Sequence, residues 1–145
     1  MRKFVYIFLA LATIFVSSCS KDKKTATNIL GQWDLTDVTL TTKATQIGDQ
    51  TVSVFLDFQS DGTYTMYQML NKGRHRIYKG TWAIQDNLLK GTYQDGKKVR
   101  DWGNVYSVSV EGDVLTMTAT VNSADVNVYT RCTIPEDVIK NAVRP

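Results

Sequence analysis

From Gly31 onward the chain is a succession of Thr, Val, Tyr, Trp, Ile and Leu runs, broken at short intervals by Asp, Asn and Gly. That rhythm is strand-and-turn punctuation, and it constrains the fold more than any other feature. Eight strands are predicted, over residues 32–41, 51–59, 63–70, 74–85, 88–93, 99–110, 114–121 and 125–133. Ser60-Asp61-Gly62, Asp86-Asn87, Asp95-Gly96, Glu111-Gly112-Asp113 and Asn122-Ser123-Ala124 lie between them, residues that accept positive φ or close Asx turns. Links this short force antiparallel neighbours, because a parallel pair needs a crossover of a dozen residues or more.

Alternation assigns the faces of these strands. Val52, Val54, Leu56 and Phe58 share one side of the second strand, Ser53 and Asp57 take the other, and Phe55 is out of phase. Trp82 with Ile84, Leu89 with Tyr93, Tyr106 with Val108 and Val110, and Leu115 with Met117 repeat the pattern. Eight antiparallel strands with one apolar face each bury those faces by closing into an all-β, up-and-down barrel, which also removes exposed edges. A two-sheet sandwich is the competing arrangement. After the last strand, Thr133-Ile134-Pro135-Glu136 has a capping residue, a proline in the first turn and an acid three positions on. A short C-terminal helix is predicted there, against the barrel or over one end.

The first eighteen residues have a different character. Arg2 and Lys3 precede a thirteen-residue apolar run, Phe4 to Val16, and then Ser17 and Ser18. This is the layout of a signal peptide, with an apolar run short of the ~20 residues needed to cross a bilayer. Val16-Ser17-Ser18-Cys19 resembles the lipobox of bacterial lipoproteins, with Val where the pattern more often has Leu. The resemblance implies cleavage before Cys19, acylation of its thiolate by palmitate-like chains, and a membrane partner held through that anchor. Ser20 in place of Asp beside the cysteine resembles lipoproteins sorted to the outer membrane, some of them surface-exposed. The organisation expected is thus a signal peptide over 1–18, a lipidated Cys19 with a flexible polar tether to residue 28, and one domain over 29–145.

Composition narrows the function classes. Removing Arg2 and Lys3 from seventeen basic residues leaves fifteen against fourteen acidic, a net charge of +1. With no basic stripe interleaved with aromatics, nucleic acid is not an expected partner. Cys132 has no second cysteine within the domain, so no disulfide framework is expected. A single histidine and no CxxC speak against a Cys/His zinc site, and neither metal nor cofactor is expected.

Leu30-Gly31-Gln32-Trp33 carries a Gly-x-Trp that resembles the start of lipocalin-like (calycin) barrels. Phe58-Gln59-Ser60-Asp61-Gly62-Thr63-Tyr64, Gly80-Thr81-Trp82-Ala83-Ile84 and Val128-Tyr129-Thr130-Arg131 look like later strands of lipocalin-like domains in bacterial envelope lipoproteins. The resemblance spans residues 29 to about 133. It implies that Trp33 plugs the closed end of the barrel, with Arg131 across its indole satisfying nearby carbonyls and Gly31 allowing a sharp turn beneath. These three residues are then structural.

Chemistry is sparse by comparison. His75, in Lys72-Gly73-Arg74-His75-Arg76, reads as an exposed loop histidine without an orienting partner. Asp57 with Asp61, and Asp95 with Asp101, are explained by turns, and no nucleophile elbow or phosphate loop occurs, so an enzyme is not expected. Eight-stranded barrels are just wide enough for one small ligand. Counting inward from Trp82 and Tyr106, parity selects Arg76, Tyr78, Trp82, Asn104 and Tyr106 as ligand-binding residues, with Arg76 and Asn104 toward one mouth for a polar head. Gly91 leaves room in the fifth strand. Two functions remain open: a module for a small apolar or amphipathic molecule, or a filled barrel that meets another protein through its rim.

Overall fold

The computed structural model describes residues 17–39 and 52–145. The apolar run of the predicted signal peptide and the ends of the first two strands at Thr41 and Thr51 lie outside them. Helix α1 (Ser17–Ile29) leads into β1 (Gly31–Thr39), followed by β2 (Val52–Phe58), β3 (Thr63–Leu70), β4 (Arg76–Gln85) and β5 (Leu88–Asp95). Then come β6 (Lys98–Asp101), β7 (Tyr106–Glu111), β8 (Val114–Ala119), β9 (Val126–Arg131) and helix α2 (Glu136–Asn141). The strands run β4-β3-β2-β1-β9-β8-β7-β5, and pairing of β4 with β5 closes the ring. The result is an eight-stranded antiparallel up-and-down barrel, with β6 hydrogen-bonded to β5 outside the ring. Closure decides against the sandwich.

The stretch expected as one strand over 99–110 is two, for a reason of register. The β5–β6 hairpin sets Thr92 opposite Asp101, and the same register continued would set Leu89 opposite Asn104. In the ring Leu89 faces Tyr106 instead. The two residues of offset are absorbed between β6 and β7, where the chain leaves β5 and returns to it.

The alternating residues build the core. Trp33, Val54, Leu56, Phe58, Tyr64, Leu89, Val108, Leu115, Met117 and Tyr129 are buried together, with Met66, Trp82, Ile84, Trp102 and Tyr106 packed against them. Each large side chain withdrawn from water here contributes about 1.5–3 kcal/mol before entropy is counted. A second, smaller cluster lies on the outside of the wall. Tyr67 is buried there with Ile134 and Val138, and Phe55, Ile77, Cys132 and Ala142 pack around them. Phe55 is therefore out of phase because α2 and its flanks cover that outer face. The helix begins after Pro135 rather than at Thr133, and Val143 beyond it bonds to His75 and Ile77 along the edge of β4.

The largest departure from the sequence reading is at the N-terminus. The stretch expected as a flexible tether is the helix α1, docked on the barrel by hydrogen bonds to the β4–β5 turn. None of the helices among the described residues is long and apolar enough to cross a membrane.

Candidate binding cleft and the closed end

One end of the barrel gathers the start of β1, the 59–62, 86–87 and 111–113 turns and the end of β9. Trp33 is fully buried there and donates its indole N–H to the Ile29 carbonyl at 2.8 Å. The Arg131 guanidinium carbon lies 4.1 Å from the centroid of the Trp33 ring. Its two terminal nitrogens donate to the carbonyls of Leu30 at 2.9 Å and Asn28 at 3.1 Å. Gly31 has φ +105°, a left-handed value, and a Cβ on it would stand 3.0 Å from an Arg131 nitrogen. A side chain here would both strain the backbone and press on the guanidinium. Gly31, Trp33 and Arg131 thus form one interlocked closure.

Halfway along the wall the arrangement opens. A cleft of about 530 Å³ is lined by Thr81, Trp82, Ala83, Lys90, Gly91, Thr92, Asp101, Trp102, Asn104 and Val105. None of those residues comes from β1, β2, β3, β8 or β9, so the cleft is lateral and does not occupy the axis of the barrel. It lies where the register offset separates the 102–105 segment from β5, held at one point by Trp102 N–H donating to the Gly91 carbonyl at 2.9 Å.

Trp102 is the side chain that links this cleft to the core. Its indole N–H donates to the Tyr64 hydroxyl at 2.8 Å, and it meets the rings of Tyr64 and Tyr106 edge-on at 5.2 and 6.2 Å. Burial pushes the Tyr64 phenol above its ordinary pKa, while the bond from Trp102 pulls the other way. A Cβ on Gly91 would come within 2.6 Å of the Trp102 ring, so the space that Gly91 leaves is filled by that ring. Trp82 adds a second indole, which donates to the Thr63 carbonyl at 2.9 Å and meets Phe58 edge-on at 5.5 Å.

The five residues selected by parity separate in space. Trp82 and Asn104 line the cleft. Tyr106 packs against the core beside Trp102, Tyr78 stands opposite Met66 in the β3–β4 pair, and Arg76 is exposed at the start of β4. Trp102, Lys90, Thr92, Asp101 and Val105 were not selected. Trp102 was legible as an inward residue by the same parity, whereas Lys90 and Thr92 point outward and join a cleft only because the wall splits there.

His75, Asp61, Asp95 and Cys132 lie outside the cleft lining. His75 is half-buried rather than exposed, and its Nε2 lies 2.9 Å from the Ser53 hydroxyl. Asp61 accepts from the Thr63 amide and hydroxyl in an Asx turn, which lowers its pKa. Asp95 pairs with Arg100 at 2.8 Å. The Cys132 thiol is pushed up by burial first, then by Asp34 and Asp57. Among the described residues no three His, Cys, Asp or Glu side chains come together in a metal-holding group.

The family model of the lipocalin-like domain matches residues 29–139, and the chain belongs to that family. Two solved structures are similar to it. One is fatty-acid-binding protein 1 of Echinococcus granulosus, 17% identical, covering 74% of this chain and 99% of that one, with a TM-score of 0.43. The other is a fatty acid binding protein of Schistosoma mansoni in complex with arachidonic acid, 20% identical, covering 74% of this chain and 98% of that one, with a TM-score of 0.42. None of the curated proteins matches the chain.

Proposed function

We propose that this protein is a lipid-anchored lipocalin-like module of the bacterial outer membrane that takes a small apolar or amphipathic molecule in the lateral cleft, without catalysing a reaction. The cleft carries the reading. Its volume of about 530 Å³ suits a small ligand, since such sites run from roughly 300 to 1,000 Å³. Its lining sets Trp82, Trp102 and Val105 beside a few polar residues, Thr92, Asp101, Asn104 and Lys90, the last with its ammonium donating to the Gln85 side chain at 2.7 Å. That mixture fits a molecule with an apolar body and one polar head. The anchor rests on Val16-Ser17-Ser18-Cys19 after a basic start and an apolar run. The non-enzymatic reading rests on carboxylates and a histidine engaged in turns, an ion pair and a hydroxyl contact.

Titrating saturated fatty acids and the matching alcohols against the protein, followed by tryptophan emission, tests the ligand reading. Binding of both series is expected, with Lys90→Met weakening the acids about tenfold more than the alcohols, since a charge-assisted bond is worth roughly 1.5–3 kcal/mol. Equal affinities in the variant and the parent would remove Lys90 from the site. A second reading, a barrel that binds another protein, is favoured by β6, all four of whose residues are exposed. Failure of every compound to bind would select it.

A further inference from the structure

The helix α1 is held by one stripe of residues. Asp22, Thr25, Ala26 and Ile29 are withdrawn from solvent, Ile29 completely, whereas Lys21, Lys23, Lys24, Thr27 and Asn28 are exposed. This is the i, i+3, i+4, i+7 spacing of a helix face. The Asp22 carboxylate accepts from the amides of Asn87 at 2.7 Å and Asp86 at 3.1 Å. Those two residues have φ of +60° and +53°, the left-handed pair of a two-residue hairpin turn between β4 and β5. Thr25 adds a bond to the Asn87 side chain at 3.1 Å. At the C-terminal end of α1, Arg131 ties down the Asn28 and Leu30 carbonyls. The helix is thereby fastened to the closed end of the barrel at its middle and at its C-terminal end.

We propose that this closed end is the surface that faces the bilayer, and that the docked α1 sets the orientation of the whole domain on the membrane. The inference rests on acylation of Cys19. Cys19 precedes Asp22 by three residues, a span of about 4.5 Å along a helix and at most ~11 Å if extended. The acylated residue therefore cannot stray far from the Asp86-Asn87 turn. Lys21, Lys23 and Lys24, on the exposed side of the same helix, are cations able to meet anionic lipid headgroups. The turns of the same rim carry Asp61, Asp86, Glu111 and Asp113, so the acyl chains on Cys19 and not net charge hold this face to the bilayer. The links at 71–75 and 120–125 project from the opposite end and are directed away from the bilayer.

Depth-dependent quenching tests the orientation. The natively processed full chain carrying Cys132→Ser is labelled with a fluorophore at Ser60→Cys, in the closed-end turn, or at Ser123→Cys, in a turn of the opposite end. Each protein is placed in phosphatidylethanolamine–phosphatidylglycerol vesicles containing a lipid with a headgroup quencher, and its intact mass is measured. Quenching at position 60 is expected to exceed that at 123 on the order of threefold, because strands of this length separate the two ends by about 20 Å. Asp22→Ala, which removes the acceptor for both turn amides, is expected to erase the difference while leaving the far-ultraviolet spectrum of the barrel unchanged. An acylated protein with equal or reversed quenching would overturn the orientation and leave the anchor standing. An intact mass without acyl chains would overturn the anchor, and the orientation with it. A difference that survives Asp22→Ala would show that docking of α1 does not set it.

Discussion

The closed end and the lateral cleft are built from the same kinds of residue, a tryptophan, a glycine and a basic side chain, yet they are put together differently. At the closed end Trp33 is sealed beneath Arg131, its N–H bonded to the Ile29 carbonyl, and Gly31 supplies a backbone angle that other residues resist. At the cleft Trp102 is half-exposed, hangs on a segment joined to β5 by one amide, and borrows its space from Gly91. The first arrangement satisfies the one polar group of its tryptophan side chain with backbone four residues away. The second depends on a phenol from another strand, Tyr64. The closed-end ring is thus sealed from solvent, whereas the cleft ring stays partly open to it.

This contrast is breakable. Trp33→Ala has the largest expected effect, a loss of about 3–5 kcal/mol in urea melts, because a fully buried ring leaves a cavity that the closed end is too constrained to fill. A midpoint unchanged from the parent would show that Trp33 does not carry the core. Gly91→Val comes next, at about 1–3 kcal/mol, since its side chain overlaps the Trp102 ring and the Thr81 carbonyl. Its signature is a red shift of tryptophan emission as Trp102 is driven toward water, together with altered ligand titrations. Unchanged emission would mean that the ring does not fill the space beside Gly91.

Smaller effects sharpen the comparison. Arg131→Met keeps some of the packing over Trp33 but loses the charge and both carbonyl bonds, for an expected cost of about 1–2 kcal/mol. Its salt bridge to Asp113, at 3.6 Å and well exposed, adds little to that figure. Affinity at the cleft is expected to be unchanged in this variant, which separates closure from binding. The least effect at neutral pH is alkaline. Burial raises the phenol pKa of Tyr129, and that of Tyr64 to a lesser degree, above the unfolded value near 10. Above that pH the unfolded chain loses phenolic protons that the folded one keeps. Stability is therefore full below about pH 10 and falls as pH rises beyond it. Tyr129→Phe is expected to flatten that fall, and an equally steep loss in the variant would assign it to other groups.

Much of this fold was legible because alternation is a local property. Val54, Leu56, Phe58, Leu89, Leu115 and Met117 point inward wherever the strands go, and short Asp, Asn and Gly links leave only antiparallel neighbours. The sequence by itself therefore determined the class of fold, the inner face of most strands, and the motif residues Gly31, Trp33 and Arg131. Three things were left to the tertiary structure. Phe55 looked out of phase until α2 was seen to cover it, a contact between residues far apart in the chain. The helix α1 read as a tether because two of its four docking residues, Asp22 and Thr25, are polar, and their acceptors and donors exist only once the β4–β5 turn has formed. The cleft arises from an offset of two residues between the β5–β6 hairpin and the closed ring, and a mismatch of that kind has no local sequence signal, because it is the difference between two pairings that must both be satisfied.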